Sequence, residues 1–188
     1  LGNQLTGYYS NDGANWTLAG TQTLNALGST IYVGLATASH SSTKAVNVQR
    51  TGKLGTYAPC LGQEAAHVGV GAAMRPEDCL AIVYREIGTL FWRGVRMSEV
   101  LLYWGGDERG NNFAVPRHDF PWCVRIATQT LHAAGAAMAF KIRKEPRCAV
   151  AYIGDGGTSE GTFYEAMNLA GASQLPIVFV IVNNKGAV

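Results

Sequence analysis

Two short apolar runs, Ala149–Ile153 and Ile177–Val182, joined by a stretch with helical spacing, constrain this chain more than anything else in it. Each run is uncharged and flanked by Gly or Pro, the pattern of a strand buried on both faces of a parallel sheet. Between them, Glu160–Ser173 sets Phe163, Ala166, Met167 and Ala170 on one helical face. Parallel neighbours need such a crossover, and a right-handed one brings both strand ends to the same edge of the sheet. That edge is where open α/β sheets bind ligands. The expected fold class is α/β, a parallel sheet flanked by helices.

Asp155 follows the first run and Asn184 the second, 29 positions apart (155 to 184), which suits one crossover unit. A carboxylate and an amide oxygen then converge on one point, and oxygen ligands suit Mg2+, which takes few protein ligands and completes its shell with phosphates. Gly154, Gly156 and Gly157 let the backbone approach a ligand, and the helix that follows offers its N-terminal amides to an anion. A Mg2+-diphosphate site is expected here.

GDG followed by NN at this distance resembles the thiamine diphosphate signature. From Lys44 onward the similarity is continuous: KAVNVQRTGKLGTYAPCLGQEAAHVGVGAAM, YREIGTLFWRG, YWGGDERGNNFAVPRHDFPWCV and ATQTLHAAGAAMAFKIRKE. These segments resemble the α subunit of thiamine-diphosphate-dependent 2-oxo acid dehydrogenases, the pyruvate type especially. The resemblance implies a truncated thiamine-diphosphate-binding fold. It also implies a metal held by Asp155, Asn184 and the carbonyl of Gly186, and a diphosphate met by Tyr84, Arg85, Gly156 and Gly157. Backbone groups of Val124 and Ile126 would hold the aminopyrimidine ring. Arg125 stands where a proline is common, and Gly186 where an aromatic residue is usual.

By the same resemblance, pyruvate or a related 2-oxo acid is decarboxylated and the acyl group passes to a lipoyl-bearing acyltransferase. The glutamate that activates the ring would come from a β subunit in a heterotetramer. No carboxylate pair of this chain is placed for acid–base work, so no catalytic residue is assigned to it. The isolated chain is expected to be inactive and to bind the cofactor weakly.

Local reading fills in the remaining elements. Leu61–Met74 is an Ala-rich amphipathic helix, and Leu80–Tyr84 is an apolar strand with Arg85 just past its end. A guanidinium there suits bidentate anion binding; the competing reading is a surface ion pair with Glu86 or another acid. Ser98 is the expected N-cap of a helix over Glu99–Trp104, and Gly105–Asp119 is a loop. Arg117 and His118 are read as loop residues. Thr128–Lys144 is a long helix whose small residues, Ala133 to Ala137, permit close packing against another helix or subunit. His132 within it is read as a structural imidazole.

Composition changes abruptly near Lys44. Before it the only formal charge is Asp12, and Gly, Ser, Thr and Asn dominate. Leu5–Ser10, Trp16–Leu18 and Thr30–Ala36 have strand composition, with a hairpin signal at Asn11-Asp12-Gly13. Residues 1–43 resemble the end of a β-sandwich module of secreted bacterial carbohydrate-active proteins. They are expected to be poorly ordered or merely appended, since three strands leave open edges. The division expected is 1–43 as a sandwich fragment and 44–188 as the N-terminal part of a thiamine diphosphate domain. The former matches secreted proteins and the latter cytoplasmic ones. The missing initiator Met and the stop at Val188 lead us to expect a fragment. Two alternatives stand beside the enzyme reading: a carbohydrate-binding module, and a join of unrelated sequences without function.

A net charge of +2 over 188 residues gives no electrostatic case for nucleic acid or membrane surface. Cys60, Cys79, Cys123 and Cys148 show no CxxC pairing, which points to buried thiols rather than zinc or disulfides.

Overall fold

In the computed structural model, residues 4–9, 17–23, 50, 52, 54–60, 62–115 and 118–184 are described. The expected strand at Thr30–Ala36, the turn at Asn11–Gly13, and Arg117 and Gly186 lie outside them. Two compact units are present, Leu1–Gly34 and Leu35–Val188.

In the first unit, β1 (Gln4–Tyr9) pairs antiparallel with β2 (Thr17–Thr23), with a register irregularity between Gly7 and Tyr8. β2 runs past the expected Leu18 to Thr23. Ladder pairing with β1 resumes at Gly20, a residue of low strand preference, after the irregularity passes over Ala19.

The second unit is built on a parallel sheet of order β3-β4-β5, from Cys79–Ala81, Ala149–Gly154 and Ile177–Val182. Cys79 pairs with Ala149 and Ala149 with Ile177, so the three strands enter in register. Alternation along the strands makes two faces. Leu80, Val150 and Tyr152 face one way, onto Ile87, Leu90, Val95 and Trp122. Cys79, Ala81, Ala149 and Ala151 face the other way, onto Ala133, Ala137 and Phe140.

That second face explains the alanine content of the long helix α4 (Thr128–Arg143). Ala133 and Ala137 are fully buried against the alanines of β3 and β4. The small residues bring the helix close to the sheet, where the sequence had suggested a helix or a subunit. Gln129 ties the two layers together, its Nε2 donating to Tyr152 O at 2.6 Å.

Helix α1 is Glu64–Ala73, α3 is Met97–Trp104 and α5 is Gly161–Ala172. A further helix, α2 (Ile87–Trp92), was not foreseen; it buries Ile87, Thr89 and Leu90. Other expectations need correction. β3 stops at Ala81 rather than Tyr84, because the Val83 N–H goes to the Glu86 carboxylate at 2.9 Å instead of to a neighbouring strand. The N-cap of α3 is Arg96, not Ser98, since the Glu99 carboxylate accepts the Arg96 N–H at 2.7 Å and starts the helix earlier. β4 is buried on both faces as expected, but β5 is only half-buried, as the edge of the described sheet.

The loop after α3 holds a 3-10 turn, Glu108–Asn111, whose Gly110 lies where a Cβ would collide with the backbone of Tyr103 and Glu99. Its far end is tied to the sheet. Asp119 accepts the Leu80 N–H at 2.9 Å and the Phe120 N–H donates to Leu80 O at 2.8 Å. All four cysteines are free, and only Cys79 is buried; Cys60, Cys123 and Cys148 are partly exposed, since each sits in a connection rather than in a strand. Among the described residues no helix is long and apolar enough to cross a membrane.

Candidate functional site

The ends of the three parallel strands open onto one cavity of about 390 Å3. Chain from Val83 to Glu86 walls it after β3, Ile153–Gly157 after β4, and Val182 and Asn184 at the end of β5. This is the sheet edge that the crossover argument selected. The volume lies in the usual range for a small-molecule or cofactor site.

Asp155 is set by its own main chain. Its N–H donates to Val182 O at 3.3 Å, and its carbonyl accepts both the Thr158 N–H at 3.2 Å and the Thr158 hydroxyl at 2.6 Å. The carboxylate therefore leaves a fixed backbone point between β4 and the 3-10 turn Gly156–Ser159. The two glycines beside it differ. At Gly154 nothing lies within 4 Å of a would-be Cβ, whereas at Gly157 a Cβ would stand 2.7 Å from Ile153 Cγ1 and 3.0 Å from Ile126 Cγ2. Gly157 is thus required for packing, and Gly154 leaves the cavity open.

Across the cavity, Arg85 is held from several sides. Its guanidinium lies over the Tyr84 ring, 4.7 Å from the centroid, and donates to the Tyr84 hydroxyl at 3.0 Å and to Pro59 O at 3.2 Å. Its carbonyl accepts the Cys60 thiol at 3.1 Å and the Ile87 N–H at 2.8 Å. The expected alternative, an ion pair with Glu86, is not formed. The Glu86 carboxylate turns instead to the backbone amides of Val83, at 2.9 Å, and Arg85, at 3.2 Å. Burial pushes the Glu86 carboxyl above its ordinary range, and those amides pull the other way. Burial and the nearby Glu86 also push the Cys60 thiol up to about 11.

Of the residues singled out from sequence, Tyr84, Arg85, Ile126, Asp155, Gly156, Gly157 and Asn184 all line this cavity. Val124 does not; it is exposed outside the cavity wall. His118 is exposed, and His132 stacks on Phe120 at 5.7 Å, so neither faces the site. Sequence reasoning missed Gln63, Glu86, Ala127 and Glu160 as wall residues. Gln63 was hidden inside the helix expected over Leu61–Met74; the structure starts that helix at Glu64 and leaves Gln63 as its N-cap. Ala127 had no readable signal, because it adopts a left-handed conformation (φ 65) without being glycine.

The wall combines one guanidinium with carboxylate and amide oxygens, at the C-terminal edge of a parallel sheet. It is equipped to hold an anion and a hard cation side by side. Comparison with known proteins identifies the class. A family model described as "Dehydrogenase E1 component" matches residues 36–188, and the chain belongs to that family. The match starts ahead of Lys44, where composition changes.

Among its relatives, the chain is 46% identical over 145 residues to the pyruvate dehydrogenase E1 component subunit alpha of Acholeplasma laidlawii, covering 77% of this chain and 42% of that one. It is 42% identical over 158 residues to the 3-methyl-2-oxobutanoate dehydrogenase subunit alpha of Mycobacterium tuberculosis, covering 84% and 43%. A pyruvate dehydrogenase E1 component subunit alpha of Mycoplasma genitalium is 41% identical over 140 residues, covering 74% and 39%. The chain spans less than half the length of these relatives. The sequence resemblance to 2-oxo acid dehydrogenase α subunits is borne out.

Proposed function

We propose that this chain supplies the diphosphate- and metal-holding half of a thiamine diphosphate site in a 2-oxo acid dehydrogenase. One observation carries the reading: Arg85, Asp155 and Asn184, far apart in sequence, line a single cavity at the ends of three parallel strands. The relatives named for pyruvate and 3-methyl-2-oxobutanoate support the substrate class.

The residues present fit such a group. Asp155 and Asn184 offer hard oxygen ligands for Mg2+ and leave its other positions to phosphate and water. Gly154 adds no side chain to the wall, and Gly157 keeps the turn tight beneath it. Arg85, backed by Tyr84, offers donors to a diphosphate. The Ile126 backbone would meet the aminopyrimidine ring, with Val124 standing further out, and the carbonyl of Gly186 would complete the metal set.

Thiamine diphosphate, when bound, supplies the means to decarboxylate a 2-oxo acid and retain its electron pair for the next acceptor. The residues of this chain bind and orient. Arg85 would neutralise phosphate charge, and the Asp155 carboxylate, on a tethered stretch of backbone, would hold the metal. The carboxylate that activates the ring is proposed to come from a β subunit, and a lipoyl-bearing acyltransferase is the proposed acceptor.

Titration of the chain with inorganic pyrophosphate and Mg2+, followed by phosphorus NMR, tests the reading. Binding that needs Mg2+ and is lost in both Asp155→Ala and Arg85→Ala is expected. With Mg2+-thiamine diphosphate, affinity weaker than micromolar is expected without a partner. Binding indifferent to Mg2+ and to both substitutions would overturn the assignment.

A further inference from the structure

Glu86 sits at an unusual place for its chemistry. It is the N-cap residue of α2, yet its side chain makes no capping bond to that helix. The carboxylate is turned back instead, and one oxygen accepts the N–H groups of both Val83 and Arg85. It is 5% exposed and forms part of the cavity wall beside Arg85. Its carboxylate is engaged by the backbone on the chain just before it rather than by the Arg85 guanidinium.

Arg85 shows what these bonds do. Its backbone is held on both sides of the Cα: the N–H by Glu86, the carbonyl by the Cys60 thiol at 3.1 Å and the Ile87 N–H at 2.8 Å. Between these anchors, Tyr84 and Arg85 form the turn from β3 into α2. Without an acceptor for the Val83 and Arg85 amides, one buried and one part-buried donor at the base of this turn would be left unbonded, and the turn would rearrange to reach others.

We propose that Glu86 is a positioning residue of this site: its carboxylate, turned back from α2 onto the amides of Val83 and Arg85, fixes the Tyr84–Arg85 turn so that the guanidinium faces the cavity. The identity of the ligand rests on the diphosphate reading above; the positioning itself rests on the hydrogen bonds alone.

Two substitutions separate geometry from charge. Glu86→Gln keeps a side-chain oxygen at the same reach, so the amides retain an acceptor while the negative charge is lost. Glu86→Asp keeps the charge but shortens the arm, and Asp at an N-cap prefers the forward bond to the helix amides. The full chain carrying each change is compared with wild type by two readouts: pyrophosphate affinity with Mg2+, and the NMR resonance of the Arg85 Nε–H, which reports the contact with Pro59. Amide resonances of Ala149–Gly154 verify the fold.

The expected result is that Glu86→Gln binds within about threefold of wild type with the Arg85 resonance in place, while Glu86→Asp loses about tenfold or more and shifts that resonance. Wild-type affinity and an unmoved resonance in Glu86→Asp would overturn the proposal, as would equal losses in the two variants. If wild type itself binds no pyrophosphate, the diphosphate reading fails. The Arg85 resonance then decides the positioning role by itself, shifting in Glu86→Asp and staying in Glu86→Gln if the proposal holds.

Discussion

A Cβ placed on Gly157 would lie 2.7 Å from Cγ1 of Ile153, so the turn that carries Asp155 is packed directly onto the end of β4. Ile153 is 1% exposed and packs with Ala127 and Phe163. Ile126, at 3.0 Å on the other side, belongs to the cavity wall. Gly157→Ala is therefore an overpacking change that reaches the site, with an expected cost of about 1–3 kcal/mol. Urea denaturation followed by circular dichroism measures the cost. A midpoint equal to that of wild type would mean that the turn has slack to take up a methyl group.

Arg93 and Asp119 lock the loop after α3 to the sheet. Arg93 Nε and Nη2 meet the Asp119 oxygens at 2.5 and 2.8 Å, and the two side chains are 4% and 0% exposed. Asp119 also accepts the Leu80 N–H at 2.9 Å, while Arg93 donates to the carbonyls of Asp78 and Arg75. Asp119→Asn leaves the guanidinium buried without its countercharge and is expected to cost about 3–5 kcal/mol. The double change Arg93→Met with Asp119→Leu removes both charges and is expected to cost less than that single change. Chemical denaturation of the three proteins checks the order; equal stability of Asp119→Asn and wild type would remove the pair from the account.

What was legible in the sequence follows from where the signal is local. The runs 149–153 and 177–182 declared their strands because apolar, β-branched residues between Gly and Pro have few other uses. Asp155 and Asn184 were legible because they stand directly beyond those runs, and topology brings such positions to one edge. β3 was read too long because its continuation, Ile82 and Val83, is as apolar as a strand. Only the bond from Val83 to Glu86 shows that the chain has already turned. The same bond hid the part that Glu86 plays, since a carboxylate beside an arginine suggests an ion pair before it suggests a backbone acceptor. The alanines of α4 marked close packing correctly, but the identical small residues on β3 and β4 that receive them could be matched only through the register. Arg93 and Asp119 had no signal at all, lying 26 residues apart in segments of different kind.

His67 gives the chain a distinctive response to acid. It is fully buried in α1, edge-on to the Tyr152 ring at 5.7 Å, and neither ring nitrogen has a hydrogen-bond partner among the described residues. Burial pushes its pKa down from 6.5 to about 4. The folded state therefore resists a proton that the unfolded state accepts. Stability from this group is complete above the unfolded value near 6.5 and is lost as pH falls through the window down to about 4. At a limiting slope of about 1.4 kcal/mol per pH unit, lowering the pH from about 7 to about 5 removes at most about 2 kcal/mol. His67→Phe keeps a ring edge against Tyr152 and cannot titrate, so the gap between wild type and variant should change with pH across this window. Thermal melts of both proteins from neutral to mildly acid pH measure the gap, in which other carboxylates cancel. A gap that does not change with pH would mean that His67 finds a proton acceptor within the fold.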